Sequence, residues 1–152
     1  MSKNKSLALC SISMFLLCLV FSSCQKRKAP VTFEKVLTAS LEYILFEEDM
    51  APEYYRKPLQ IIRPARYAIR SRIVVFKKEC ILLPKDTNVD HLLEGMDVFR
   101  PIPLVEIMHY NNVRKNIYIT IRFRATGPVY EMTLDGDNEF GYKVIRYSYY
   151  LT

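Results

Sequence analysis

Histidine and glycine are scarce in this chain of 152 residues, cysteine is scarce beyond its first two dozen positions, and each scarcity removes a class of chemistry. His91 and His109 are the only imidazoles, with no His-Glu-x-x-His and no cysteine pair, so the usual ligands of a zinc site are missing. Gly95, Gly127, Gly136 and Gly141 are too dispersed for a phosphate-cradling loop, and no Gly-x-Ser-x-Gly elbow is present. Cys10, Cys18 and Cys24 crowd the N-terminus, which leaves Cys80 alone in the body of the chain. A single cysteine makes no internal disulfide, so the fold must stand on packing, and Cys80, set among Val74, Val75, Phe76, Ile81 and Leu82, reads as a small buried hydrophobe. Neither metal nor cofactor is implied. The longest apolar run, Leu7 to Phe21, is interrupted by Ser11 and Ser13 and is too short to cross a ~30 Å bilayer, which needs about 20 apolar residues. No internal repeat or low-complexity tract is found.

What is present begins with Lys3 and Lys5 ahead of that apolar run, the pattern of a secretory signal, with an uncleaved signal anchor as the alternative. The run ends in Leu19-Val20-Phe21-Ser22-Ser23-Cys24, which resembles the lipobox of bacterial lipoprotein precursors. The resemblance implies a signal peptide over 1–23, acylation of Cys24, and a lipidated tether over 24–31, with membrane lipid as a partner. Acyl chains contribute ~0.8 kcal/mol per buried CH₂, and Lys26-Arg27-Lys28 add attraction to anionic lipid. Gln25 is not the Asp of an inner-membrane retention signal, and the basic triplet is unlike acidic surface-export tags. The implied location is the cell envelope, on the periplasmic face of the outer membrane if the host has two membranes.

The 22 Lys+Arg and 16 Asp+Glu give a formal +6, which falls to +4 once Lys3 and Lys5 are set aside. Most of that excess is the tether triplet, so no nucleic-acid partner is expected. The remainder, 32–152, suffices for one domain with one core.

Thr32 can cap a helix in which Phe33, Val36, Leu37, Leu41, Ile44 and Leu45 follow the three-four spacing of one buried face. Glu34 suits its first turn, whereas Glu47-Glu48-Asp49 crowd the end where negative charge is unfavourable. Tyr54 to Gln60 suggests a short second helix, and Val89 to Gly95 one or two helical turns. Tyr67, Ile69, Ile73 and Val75 alternate with Ala68, Arg70, Arg72 and Val74, as in a strand. A meander follows over Leu104 to Tyr110, Ile117 to Arg124, Val129 to Leu134 and Tyr142 to Leu151, with turns expected at Asn111-Asn112, Thr126-Gly127-Pro128 and Asp135-Gly136. Ile117, Ile119, Ile121 and Phe123 alternate strictly with Tyr118, Thr120, Arg122 and Arg124, giving one apolar and one polar face. The expected class is α+β: an N-terminal helix on a curved, mainly antiparallel sheet of about five strands with a C-terminal meander. That element order resembles the cone-shaped nuclear-transport-factor-like fold and, more loosely, the cystatin-like one. No site is carried over from either.

Asp135-Gly136-Asp137-Asn138-Glu139 imitates a calcium loop, but Phe140 and Arg146 occupy the positions that need Gly and a bidentate Glu, so it reads as a solvated turn. Glu106 and His109 are an odd number of residues apart and, on a regular strand, lie on opposite faces, which speaks against an acid-base pair. The constellation that points to function is Arg66, Arg70 and Arg72 at even spacing on one expected strand, with Tyr118, Arg122 and Arg124 on the polar face of another. Guanidinium groups bind carboxylate and phosphate bidentately, and tyrosines favour contact surfaces, whereas the plain alternative is a solvated sheet face whose arginine stems cover apolar surface. The expectation is a non-catalytic binding or assembly module facing an anionic envelope component or another envelope protein. A small-ligand pocket under the helix is the alternative, and an enzyme is disfavoured because no catalytic spacing is visible.

Overall fold

A computed structural model describes residues 31–136 and 142–151. The expected signal peptide, Cys24 with most of its tether, and residues 137–141 of the acidic turn lie outside the described residues. The described residues fall within one compact unit, Val31–Thr152.

Thr32 caps helix α1 (Phe33–Glu47), its hydroxyl accepting from the Lys35 N–H at 3.4 Å, as its side-chain chemistry dictates. Val36, Leu37, Leu41 and Ile44 are wholly inaccessible to solvent and form the buried stripe. At the acidic C-terminal end of α1 the Glu48 carboxylate accepts from the Tyr147 hydroxyl. Tyr55 on the short helix α2 (Pro52–Arg56) shares its hydroxyl proton between the Leu45 and Glu48 carbonyls, each 2.9 Å away, and so satisfies acceptors that the last turn leaves open.

The strands are β1 (Gln60–Ile62), β2 (Val74–Val75), β3 (Lys78–Glu79), β4 (Ile81–Leu83), β5 (Leu104–Val113), β6 (Asn116–Phe123), β7 (Pro128–Asp135) and β8 (Lys143–Leu151), with helix α3 (Val89–Leu93) between β4 and β5. Six of them form one sheet in the order β4-β1-β5-β6-β7-β8, and β2 and β3 form a separate hairpin. The class is α+β, as expected, with one strand more than expected in the main sheet.

Two of its strands, β1 and β4, were not expected, while the expected strand from Tyr67 is absent from it; β1 lies parallel to both β4 and β5 and occupies Gln60, where a helix end was expected. A second correction concerns the segment that follows β1. The stretch from Tyr67 to Ile73 alternates like a strand, yet of the expected strand only Val74–Val75 pairs, and it does so with β3 and not with the main sheet. Tyr67 stacks on Phe33 (5.5 Å between ring centres) and meets Tyr110 edge-on (5.1 Å), while the Arg70 and Ser71 N–H groups donate to Glu34 Oε1 at 2.6 and 3.3 Å. The backbone is thus satisfied by a side chain instead of a ladder. A third correction concerns the β5–β6 turn. Asn111 and Asn112 are strand residues, and the chain reverses at Arg114-Lys115, with Arg114 at φ 59°.

The face of β5–β7 toward α1 carries Val105, Ile107, Ile117, Ile119, Ile121, Phe123, Tyr130, Met132 and Leu134, all buried. Phe123 meets Tyr54 and Tyr130 edge-on at 5.2 and 5.5 Å. Burying each large aliphatic side chain stabilises the unit by ~1.5–3 kcal/mol. Cys80 belongs to this core, 7 % exposed, as its apolar neighbours suggested. Among the described residues no helix is long and apolar enough to cross a membrane.

Candidate binding face

The opposite face of β5–β8 carries the polar alternates, and cross-strand pairing arranges them in rows. Glu106 faces Arg122, which faces Val129, which faces Tyr150. The next row is His109, Thr120, Glu131 and Ser148, and the third is Asn111, Tyr118, Thr133 and Arg146. Two of these assignments depend on irregularities invisible in the sequence. A bulge between Ile107 and His109 inserts one residue into β5 and brings Glu106 and His109 onto one face, which overturns the opposite-face expectation. A second, between Thr133 and Leu134, shifts β8 against β7.

Two shallow depressions lie on this face and meet at His109. The first, of about 340 Å³, is floored by the rows containing Thr120, Glu131, Thr133, Arg146 and Ser148. The second, of about 520 Å³, is bounded by Arg63, Arg66 and Lys85 together with Glu106. Arg63, Arg66, Lys85, His109 and Arg146 are exposed, and among the described residues no ion pair is seen for them. Glu106 is committed to Arg124, which approaches it at 3.3 Å and reaches Asp90 of α3 at 3.9 Å. The groove therefore carries three arginines and a lysine, and Glu131 is the acidic group on its floor without a cationic partner at ion-pair distance among the described residues.

The six residues singled out from sequence are only partly assembled. Tyr118 and Arg122 do project from one face of β6, and Arg66 borders the second depression. Arg124 lies just past β6 and is an internal ion-pair partner, 23 % exposed. Arg122 is half-buried across from Val129, its Nε shielded from solvent. Arg70 and Arg72 share no strand with Arg66, and Arg72 instead approaches Glu79 of β3 at 3.5 Å. Arg63, Lys85, His109 and Arg146 were not singled out, because they reach the groove from separate segments, and only the tertiary fold brings these together.

Among the described residues no cluster of His, Cys, Asp and Glu has the arrangement of a metal site. Burial pushes the Cys80 thiol up to about 11, which keeps it protonated and unreactive at neutral pH. Burial likewise raises Tyr147, whose hydroxyl donates to the Glu48 carboxylate. Comparison with known proteins finds no matching family model, no matching curated protein and no matching solved structure.

Proposed function

We propose that this chain is an envelope lipoprotein, held to a membrane by acylated Cys24, whose α+β unit binds an anionic envelope component along the outer face of its meander. The observation that carries the binding reading is the cationic groove of Arg63, Arg66, Lys85 and Arg146 around His109. Guanidinium and ammonium groups that are exposed and uncommitted to internal carboxylates are suited to phosphate or carboxylate groups, with arginine offering two parallel N–H bonds. The helix side of the sheet supports the same choice over a pocket under α1, since the side chains of β5–β7 that face the helix are buried in one core. A tether of acyl chains and Lys26-Arg27-Lys28 suits a domain that works next to a membrane.

The binding test uses the full chain in neutral detergent micelles, titrated with a phosphorylated and a uronic-acid-bearing polysaccharide. Arg66→Glu with Lys85→Glu should weaken binding of one of them at least tenfold, equivalent to 1.4 kcal/mol, with no change in melting temperature. Equal binding by wild type and double variant, or binding by neither, overturns the groove. The anchor is tested by mass spectrometry of the membrane fraction. A diacylated or triacylated N-terminal Cys24 is expected, Cys24→Ala should release the protein or leave it unprocessed, and a wild-type N-terminus still beginning at Met1 refutes lipidation.

A further inference from the structure

The two edges of the main sheet are very different. β4 ends it on one side with 3 residues, whereas β8 ends it on the other with 9. Among the described residues no strand pairs with the far side of β8, so its outward N–H and C=O groups are open to a further strand. Native proteins ordinarily blunt such an edge with proline, charged side chains, bulges or brevity, and in β8 the lysine, the arginine and the bulge all fall in its first half. β8 has no proline and no acidic residue, its bulge lies toward its beginning, and the segment after the bulge is long and aromatic. Tyr149, Tyr150 and Leu151 are 58 %, 43 % and 74 % exposed. An edge of this composition is suited to pairing with a further strand.

The sequence of the edge names its occupant. Arg146-Tyr147-Ser148-Tyr149-Tyr150 is nearly palindromic about Ser148. Arg146, Ser148 and Tyr150 lie on the outer face, opposite Thr133, Glu131 and Val129, while Tyr147 and Tyr149 lie on the helix side, opposite Met132 and Tyr130. Two antiparallel copies related by a twofold axis at Ser148 would set Ser148 against Ser148, Tyr147 against Tyr149, and Arg146 against Tyr150. Every pair keeps its face, aromatic meets aromatic, each arginine lies over a tyrosine ring, and no cation opposes a cation. The isologous contact closes at two copies. We propose that β8 pairs with β8 of a second copy of this chain, in the register centred on Ser148, to make one continuous sheet across a dimer. Arg146 and Ser148 border both the edge and the first depression, so the dimer would also join the two grooves end to end.

Single cysteines introduced into the full chain in native membranes test this directly, with the unsubstituted chain as background. Ser148→Cys should form a disulfide-linked species of twice the chain mass on mild oxidation, because opposed strand residues lie about 4.5–5.5 Å apart at Cβ. Glu131→Cys, one strand inward on the same face, should stay at background. Adding Tyr150→Lys, which opposes a cation to Arg146, should cut the Ser148→Cys yield at least fivefold, and Tyr150→Phe should preserve it. A thermal melt shows whether each variant remains folded. Equal yields from Ser148→Cys and Glu131→Cys, or a Ser148→Cys adduct whose mass is that of a different protein, overturn the proposal. Neither result bears on the groove, which Arg66→Glu and Lys85→Glu probe separately.

Discussion

Glu34 should be the most informative single position for stability. It sits in the first turn of α1, 9 % exposed, and its carboxylate accepts the backbone N–H groups of Arg70 and Ser71 at 2.6 and 3.3 Å. One side chain thus fixes the start of the helix to the middle of the irregular 66–73 segment. Hydrogen bonds to a charged acceptor contribute ~1.5–3 kcal/mol each and neutral ones ~0.5–1.5. Glu34→Gln keeps the shape and one acceptor oxygen, so the expected loss is about 1–2 kcal/mol at pH 7. For a unit of this size that lowers the melting temperature by about 3–10 °C. Glu34→Ala, which also strands the two donors, should cost about 2–4 kcal/mol.

The sign of the pH dependence follows from the same geometry. The Arg70 N–H holds the Glu34 carboxyl below its ordinary value of 4.5. A depressed carboxyl contributes stability that is fully present above the unfolded-state value and is lost as pH falls through the folded one. Wild type and Glu34→Gln should therefore differ most above the ordinary carboxyl value of 4.5 and converge as pH falls through the lowered folded-state value. Urea unfolding followed by circular dichroism across that range measures it. A Gln variant as stable as wild type at pH 7, or a gap that stays constant into acid, would refute the assignment.

Other sites give independent checks. Cys80, buried and pushed up to about 11, should react with a thiol reagent at pH 8 about a hundredfold more slowly in the native state than in denaturant, followed on its own peptide by mass spectrometry. Leu41→Ala removes a fully buried contact between α1 and the sheet and should cost about 2–5 kcal/mol, read from denaturant midpoints. Arg122→Ala with Arg124→Ala removes the Glu106 pair and the cover over Val129 and should destabilise the unit by about 1–2 kcal/mol. A double variant that melts like wild type would return both arginines to a purely solvated role. Chelator and reductant should each shift the melting temperature by less than about 5 °C.

Where the chain obeys its own local chemistry, sequence and structure agree. Thr32 caps α1, the three-four spacing of Val36, Leu37, Leu41 and Ile44 sets its buried face, and the strict alternation from Ile117 to Phe123 fixes which side of β6 meets the helix. These features depend only on residues within a few positions of one another, which is what periodicity encodes. The parts that failed depend on partners far along the chain. Tyr67 to Ile73 has the alternation of a strand but pairs with none, its Arg70 and Ser71 N–H groups going to Glu34, while β1, a run of three residues too short to stand out, pairs between β4 and β5. The bulge after Ile107 adds one residue to β5, and that shift alone decides that Glu106 and His109 share a face. The groove follows the same logic. Arg63, Arg66, Lys85, His109 and Arg146 carry no mutual spacing in the sequence, and they converge because a parallel strand, a bulge and the edge position of β8 bring their segments to one side of the sheet. Residue identity set the chemistry available, and strand order, a property of the whole chain's packing, decided which of it could act together.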